Sequence, residues 1–113
     1  MPIINPVFFK PTPMETIQIT VFDKRSTTSS NSKIYIDGNS ISSQTLVKNQ
    51  TYSYSVSAGT SHIISATNYG LEDVYITDGN GNLLTPQYQD NVSYTFNPSN
   101  INVFKVYFNM NPV

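Results

Sequence analysis

The stretch IYIDGN at residues 34–39 has the pattern of a short strand that enters a hairpin, since two Ile residues share one face and an Asp-Gly pair follows them. It returns about forty residues later as VYITDGN at residues 74–80, and YSY at residues 52–54 returns at the same interval as YTF at residues 94–96. This spacing indicates an all-β chain. An internal repeat of strand, turn and strand is one interpretation, and chance recurrence of similar strands is the other.

Strand signals recur at intervals of about ten residues, separated by Gly, Asn, Pro and Ser, and no segment of helical length has a helical period. The predicted strands are residues 16–22, 33–36, 50–56, 61–67, 72–77, 92–96 and 101–110. The pattern predicts an immunoglobulin-like two-sheet sandwich of about seven antiparallel strands, with a small barrel as the alternative.

Alternation within these strands predicts which side chains face inward. The predicted core is Ile17, Ile19, Val21, Ile34, Ile36, Tyr54, Val56, Ile64, Val74, Ile76, Val92, Phe96, Phe104, Val106 and Phe108.

Composition limits the classes of function. The chain has 113 residues, enough for one domain, and it has no Cys, which excludes disulfides and thiolate chemistry. Its net charge is −1, and 12% of its residues are charged, so no basic stripe exists to follow a phosphate backbone. We therefore expect no nucleic-acid partner. We expect no membrane partner either, because no apolar run is long enough to span a bilayer.

The first 15 residues form a separate segment in which four prolines interrupt apolar residues. Proline at this density disfavours helix and favours extended chain. The segment is interpreted as an edge strand or as an arm that docks on a neighbouring subunit, with residues 16–113 as the sandwich domain. It lacks the features of a secretory leader, so we expect a protein made in the cytoplasm. The apolar residues offered for partner contact are Ile3, Ile4, Val7, Phe8 and Phe9.

Residues 33–76 resemble, in outline, the PEGA-type surface modules. The similarity rests on YIDG at residues 35–38, on AGTSHII at residues 58–64 and on NYG at residues 68–70. The chain departs from the family in a long insert at residues 40–50 and in Tyr69-Gly70, where the family has the reverse order. The resemblance implies a non-enzymatic, envelope-associated β-module.

Residues that could carry chemistry are few. His62 is the single histidine, so it cannot build a metal site alone, and we interpret it as a partly buried strand-end residue bonded to backbone. The DGNGN of residues 78–82 begins like an EF-hand loop, but Leu83 and Gln89 occupy the positions that require Gly and Glu. The acidic residues form no pair suited to acid–base catalysis. We expect no catalytic residue, no cofactor and no metal.

Tyrosines are the remaining candidates for contact with a ligand. Tyr52 and Tyr54 are in phase with Val56, which favours the core. Tyr35 and Tyr75 alternate with inward Ile and Val residues and are expected to face outward, and Tyr88 follows Pro86 in a loop. These three are the predicted contact residues of the folded domain.

Together these features predict a non-enzymatic structural or interaction protein. We expect a small bacteriophage virion component, such as a capsid auxiliary, decoration or tail-associated protein, located in the virion and held by contacts with capsid or tail proteins, with a homo-oligomer left open. The link to small virion sandwiches is an analogy of fold. The alternative is a glycan- or ligand-binding adhesion module at the cell surface.

Overall fold

The computed structural model describes residues 12–70 and 73–110, and within them the protein is all-β. Strands are numbered in chain order. They are β1 Met14–Asp23, β2 Ser32–Ile36, β3 Asn39–Ser40, β4 Thr51–Ser57, β5 His62–Asn68, β6 Val74–Asp78, β7 Asn91–Phe96 and β8 Val103–Phe108.

The strands form two four-stranded sheets that share one core. Sheet A has the order β4-β1-β8-β6, and sheet B has the order β3-β2-β5-β7. All neighbours are antiparallel except β1 and β8, which run parallel with Ile19 opposite Phe104. The all-β, two-sheet prediction is confirmed.

The strand count and the strand directions differ from the sequence prediction. The described residues contain eight strands, because the two-residue β3 follows the turn after β2 and was not recognised. One pair, β1 and β8, is parallel, whereas the sequence prediction had only antiparallel strands. Strand β1 begins at Met14, so Met14 and Glu15 belong to the sheet although the sequence assigned them to the N-terminal segment.

The core is formed by the inward faces of both sheets. Every predicted core residue is buried except Tyr54, which is half-buried against the core, and Leu46 and Ala66 are additional members. Phe96 of β7 meets Phe104 of β8 edge to face at 4.8 Å between ring centroids, which joins the two sheets. The alternation of side chains therefore predicted the core well, and it missed Leu46 because that residue lies in a loop.

The turn between β2 and β3 has a clear local cause. Asp37 and Gly38 have φ angles of 51° and 82°, and two consecutive positive φ values are typical of the tight turns that match strand twist. Gly adopts this conformation without penalty, and Asp is among the residues that tolerate it. The turn holds the Asp37 carboxylate at one end of the sandwich.

The similar segments lie in different sheets. Strand β2 is an inner strand of sheet B, whereas β6 is an edge strand of sheet A. Strands β4 and β7, which carry YSY and YTF, are both edge strands, one in each sheet. Of the predicted contact residues, Ile3, Ile4, Val7, Phe8 and Phe9 lie outside the described residues.

Candidate functional site

The outer face of sheet A carries Ser and Thr residues from β1 and β4 beside an aromatic stack. Thr20 and Thr51 lie opposite each other and their hydroxyls hydrogen-bond at 2.8 Å. Thr16 and Gln18 are exposed on the same face. This face is polar and almost uncharged, so it offers hydrogen bonds without long-range attraction.

The aromatic stack crosses three strands of that face. Tyr107 lies between Phe22 and Tyr75, with ring centroids 4.8 and 4.7 Å apart and the rings nearly parallel. Burial in the stack raises the pKa of Tyr75, and the nearby Tyr107 and Asp73 add to the rise. Because stacked rings cover each other's faces, Tyr107 has little ring face left for a ligand.

The three tyrosines predicted as contacts of the folded domain do not form one site. Tyr75 lies in the stack on sheet A, and Tyr35 is half-buried on the outer face of sheet B. Tyr88 is 62% exposed and stands next to Gln89, which bridges to Val74 at the start of β6. Tyr75 and Tyr88 are thus on the β6 side of the molecule, and Tyr35 is on the other sheet.

The two sheets differ in how their edges are covered. Residues 83–89 cover β6, since the Leu84 amide donates to the Ile76 carbonyl at 2.9 Å and the Val74 amide donates to the Gln89 carbonyl at 2.8 Å. Strand β3 has only two residues. Among the strands of residues 12–70 and 73–110, β4 and β7 remain as long edges, and neither contains a charged residue or a proline. Charge, proline and short length are the usual protections of an edge, so these two edges are suited to pairing.

One end of the sandwich holds the Asp37–His62–Ser57 cluster. His62 Nδ1 donates to Asp37 Oδ2 at 2.6 Å, and His62 Nε2 donates to the Ser57 carbonyl at 2.7 Å. His62 is 8% exposed, whereas the Asp37 side chain is 42% exposed. Because a carboxylate oxygen and a carbonyl oxygen both accept hydrogen bonds, both ring nitrogens carry protons in this arrangement. The resulting imidazolium connects sheet B to the end of β4 in sheet A.

Proton affinities in this cluster follow from these bonds. The hydrogen bond to Asp37, aided by the bond to Ser57, raises the pKa of His62 despite its burial. Partial desolvation opposes ionisation of Asp37, but bonds from the Ile63 amide and from His62 outweigh it and lower its pKa. The Ser57 hydroxyl is also 3.3 Å from Nε2. A catalytic base needs an unprotonated nitrogen facing the nucleophile, and here the proton on Nε2 is directed at a carbonyl.

The opposite end of the sandwich is closed by a buried polar network. Arg25 donates to both carboxylate oxygens of Asp23, at 2.8 and 2.5 Å, and to Ser32 Oγ at 3.0 Å. Ser32 Oγ donates to Asn68 Oδ1 at 2.8 Å, and Asn68 Nδ2 donates to Asn109 Oδ1 at 3.1 Å. These residues come from β1, β2, β5 and the end of β8, so the network fastens both sheets. Such fully connected networks favour one core arrangement.

In the loop at residues 78–82 the Asp78 carboxylate accepts hydrogen bonds from other residues of the same loop. Asp78 Oδ1 accepts the Asn80 and Asn82 amides at 2.9 Å each, and Asp78 Oδ2 accepts the Asn82 side-chain amide at 2.9 Å. These hydrogen bonds lower the pKa of Asp78, and the two bonds from Asn82 contribute most. Within residues 12–70 and 73–110, no group of three or more His, Asp or Glu side chains is arranged to hold a metal ion.

A groove of about 430 Å³ lies between the 78–80 turn and residues 100–103, and a more apolar one of about 270 Å³ lies beside Leu46 and Val47. No helix in the described part of the chain is long and apolar enough to cross a membrane.

Comparisons with protein-family models, with curated proteins and with solved structures find no significant match to this chain. The resemblance to PEGA-type modules therefore stays a prediction.

Sequence reasoning found parts of these features and missed their connections. His62 was expected to be partly buried and bonded to backbone, and the Ser57 carbonyl is that partner. The pairing with Asp37 was missed because the two residues are 25 positions apart. The polar network was also missed, although Asn68 at the end of an apolar strand was a signal for it, since an Asn in that place has to find partners.

Proposed function

We propose that the protein is a non-enzymatic structural and interaction module that is held in a larger assembly by contacts between protein subunits. The observation that carries this proposal is the pair of long, uncharged strand edges, β4 and β7, on which no other strand of the described residues pairs. A sheet edge recognises another chain through its backbone groups and needs no charged or catalytic side chain. The polar, neutral outer face of sheet A fits the same role.

The assembly that we propose is a bacteriophage virion, with the protein as a capsid auxiliary, decoration or tail-associated component. The Ser-, Thr-, Asn- and Tyr-rich composition supports this choice. In this proposal the N-terminal residues Ile3, Ile4, Val7, Phe8 and Phe9 and the strand edges contact neighbouring capsid or tail proteins. No nucleic acid, membrane or cofactor takes part.

The finer description of the fold is also a proposal. We infer an immunoglobulin-like outline for the sandwich, supported by two packed sheets of short strands. An internal duplication has support from β4 and β7, which carry the similar YSY and YTF motifs and occupy edge positions in opposite sheets. Strands β2 and β6 do not share such a correspondence.

An enzymatic role has less support. The Asp37–His62–Ser57 cluster has the residue types of a hydrolytic triad, but the proton on Nε2 points at the Ser57 carbonyl at 2.7 Å, closer than the hydroxyl at 3.3 Å. The ring is buried, and its hydrogen bond to Asp37 raises the pKa of His62. This arrangement explains the cluster as a fastening between two sheets.

The proposal is tested by following the protein in its source culture. An antibody against the folded domain is used to probe a lysate separated on a density gradient, together with fractionated cells. Co-sedimentation with DNA-filled particles at a constant copy number supports the virion role. Recovery with the cell envelope and absence from particles would refute it and favour the adhesion module.

The second candidate, a glycan-binding adhesion module, is favoured by one observation. Tyr69 and Tyr88 are both more than half exposed, and such rings stack well on sugars. A glycan array probed with the wild type and with Tyr88→Ala separates the candidates. Binding that the substitution removes supports the adhesion role, and an array without signal counts against it.

A further inference from the structure

The outer edge of β4, on which no strand of the described part of the chain pairs, has a defined set of backbone groups. The Ala58 amide donates to the Pro13 carbonyl at 2.8 Å, which places residues 13 and 58 in a hydrogen-bonded pair. In an antiparallel ladder such pairs alternate along the strand, so Tyr52, Tyr54 and Val56 direct their backbone groups at β1. The backbone N–H and C=O groups of Thr51, Ser53 and Ser55 therefore point away from the sheet, and all three side chains are exposed.

Both ends of this edge are closed by specific contacts. At one end Asn49 has a φ of 66° and donates its amide to Val21 at 2.6 Å, while Gln50 accepts the Val21 amide at 3.1 Å. Two residues of one strand thus face one residue of β1, which is the arrangement of a β-bulge. At the other end the Ser57 carbonyl accepts a hydrogen bond from His62 Nε2 and is not available to a partner strand. The edge is left with three outward residues and Ser53 at its centre.

We propose that β4 is a self-association surface, and that it pairs antiparallel with β4 of a second copy of this chain about a two-fold axis at Ser53. In this register Ser53 faces Ser53 of the partner copy, and Thr51 faces Ser55, so every outward residue enters a hydrogen-bonded pair. Sheet A then continues through both copies. The inference rests on the proposed function, because it names one subunit contact of that assembly.

The side chains fit this register. Tyr52 and Tyr54 are half-buried on the inner side of β4, and the two-fold axis places Tyr52 of one copy opposite Tyr54 of the other. Aromatic cross-strand pairs are favourable in sheets. The outer side brings hydroxyl groups together, as Thr20 and Thr51 already show within one chain. The nearest charge in sequence, Lys48, is held by its Nζ on the Arg25 carbonyl at 2.6 Å, so no like charges meet.

The same argument is weaker for the β7 edge. The Asn68 amide donates to the Asp90 carbonyl at 2.8 Å, so Asn91, Ser93 and Thr95 point outward in an analogous way. Asp90, however, directly precedes this edge, and a two-fold axis at Ser93 would bring two such carboxylates near the pairing strands. Ser93 is therefore the matched control for Ser53, since both are exposed Ser residues at the centre of an uncharged edge strand.

The first test uses charge at the two-fold axis. Light scattering behind size exclusion, at a loading concentration near the Kd of the wild-type dimer, should give a dimer signal for the full-length wild type and for Ser93→Lys, and a shift toward monomer for Ser53→Lys with unchanged far-ultraviolet circular dichroism. Like charges placed directly opposite each other repel, which predicts about fivefold weaker self-association. Mixing Ser53→Lys with Ser53→Glu should restore the dimer. A monomeric wild type, or a dimer lost in Ser93→Lys and kept in Ser53→Lys, overturns the inference.

The second test reads the register. The chain has no native Cys, so single thiols are clean probes. Two copies of Ser53→Cys in a hydrogen-bonded pair would have Cα atoms about 5.5 Å apart, within the span of a disulfide. Two copies of Ser55→Cys would be offset by about 13 Å along the strands. With oxidised glutathione as the oxidant, covalent dimer from Ser53→Cys alone supports the register. Cross-linking of both variants, or of neither, refutes it.

The two proposals can fail separately. A wild type that stays monomeric while co-sedimenting with virions overturns the β4 pairing and leaves the structural role supported. A dimer through β4 found with the cell envelope supports the pairing and overturns the virion role.

Discussion

Asn68→Ala is expected to destabilise the protein strongly, because Asn68 connects the polar network at one end of the sandwich. Its side chain is 0% exposed, accepts from Ser32 Oγ at 2.8 Å, and donates to the Asp73 carbonyl at 2.9 Å and to Asn109 Oδ1 at 3.1 Å. Alanine would leave these three partners without that amide. It would also leave a cavity at this end of the sandwich.

The magnitude follows from the partners left behind. A buried polar group that loses its hydrogen bond costs about 1–3 kcal/mol. Asn109 Oδ1 keeps a bond from the Asp73 amide at 3.2 Å, and the Asp73 carbonyl keeps one from the Asn109 amide at 2.8 Å, so the main loss falls on Ser32. We therefore expect a decrease of about 2–4 kcal/mol in the free energy of unfolding. For a domain stabilised by about 5–15 kcal/mol this is a large fraction.

Urea denaturation followed by tyrosine fluorescence measures this decrease. Asn102→Ala is the matched control, since Asn102 is exposed and its structural contact is a backbone carbonyl that accepts the Gln18 amide. We expect that control to lie within about 0.5 kcal/mol of the wild type. If Asn68→Ala proved as mild as Asn102→Ala, the network would not stabilise the fold and the reasoning would be wrong.

Three further changes test other parts of the structure. The charged His62 stabilises the fold fully below its ordinary pKa of 6.5 and loses this contribution as the pH rises through its raised pKa, so Asp37→Asn should lower the thermal midpoint at pH 6 and have less effect at high pH. The measurement is the difference in thermal midpoint between the wild type and Asp37→Asn as a function of pH. A difference that grows as the pH rises contradicts the prediction. Gly79→Ala would place a Cβ 2.8 Å from Val103 Cγ1 and should cost about 1 kcal/mol, which Val103→Ala should largely restore. Tyr107→Ala breaks two ring stacks, and double-mutant cycles with each neighbouring ring should give coupling of about 0.5–1.5 kcal/mol per pair, whereas additive effects would show that the stacks contribute nothing.

The strands and the core were predictable because both are encoded locally. A strand has a side-chain period of two residues, so Ile17, Ile19 and Val21 indicate their common face without knowledge of any other strand. The Asp37–Gly38 turn was equally clear, since few residue pairs accept two positive φ angles in succession. Leu46 was not predicted as a core residue, because it lies in a loop and a loop has no side-chain period that indicates burial.

The candidate site was less predictable, because its features depend on strand order. Nothing in the TYSYSVS of β4 shows that it is an edge, since an inner strand could carry the same letters. The Tyr75 prediction illustrates the limit. The residue does lie on an outer face, but its stacking on Tyr107 depends on β6 pairing with β8.

By itself the sequence determined that the protein is all-β, where seven of the eight described strands lie and most of the side chains that enter the core, because propensity, turn chemistry and alternation act over a few residues. The tertiary structure alone decided which strands are edges, that β1 and β8 run parallel, and that His62 meets Asp37 while Asn68 meets Asn109. These contacts join residues that are distant in the chain, and they form only when two sheets pack and all buried polar groups must find partners together.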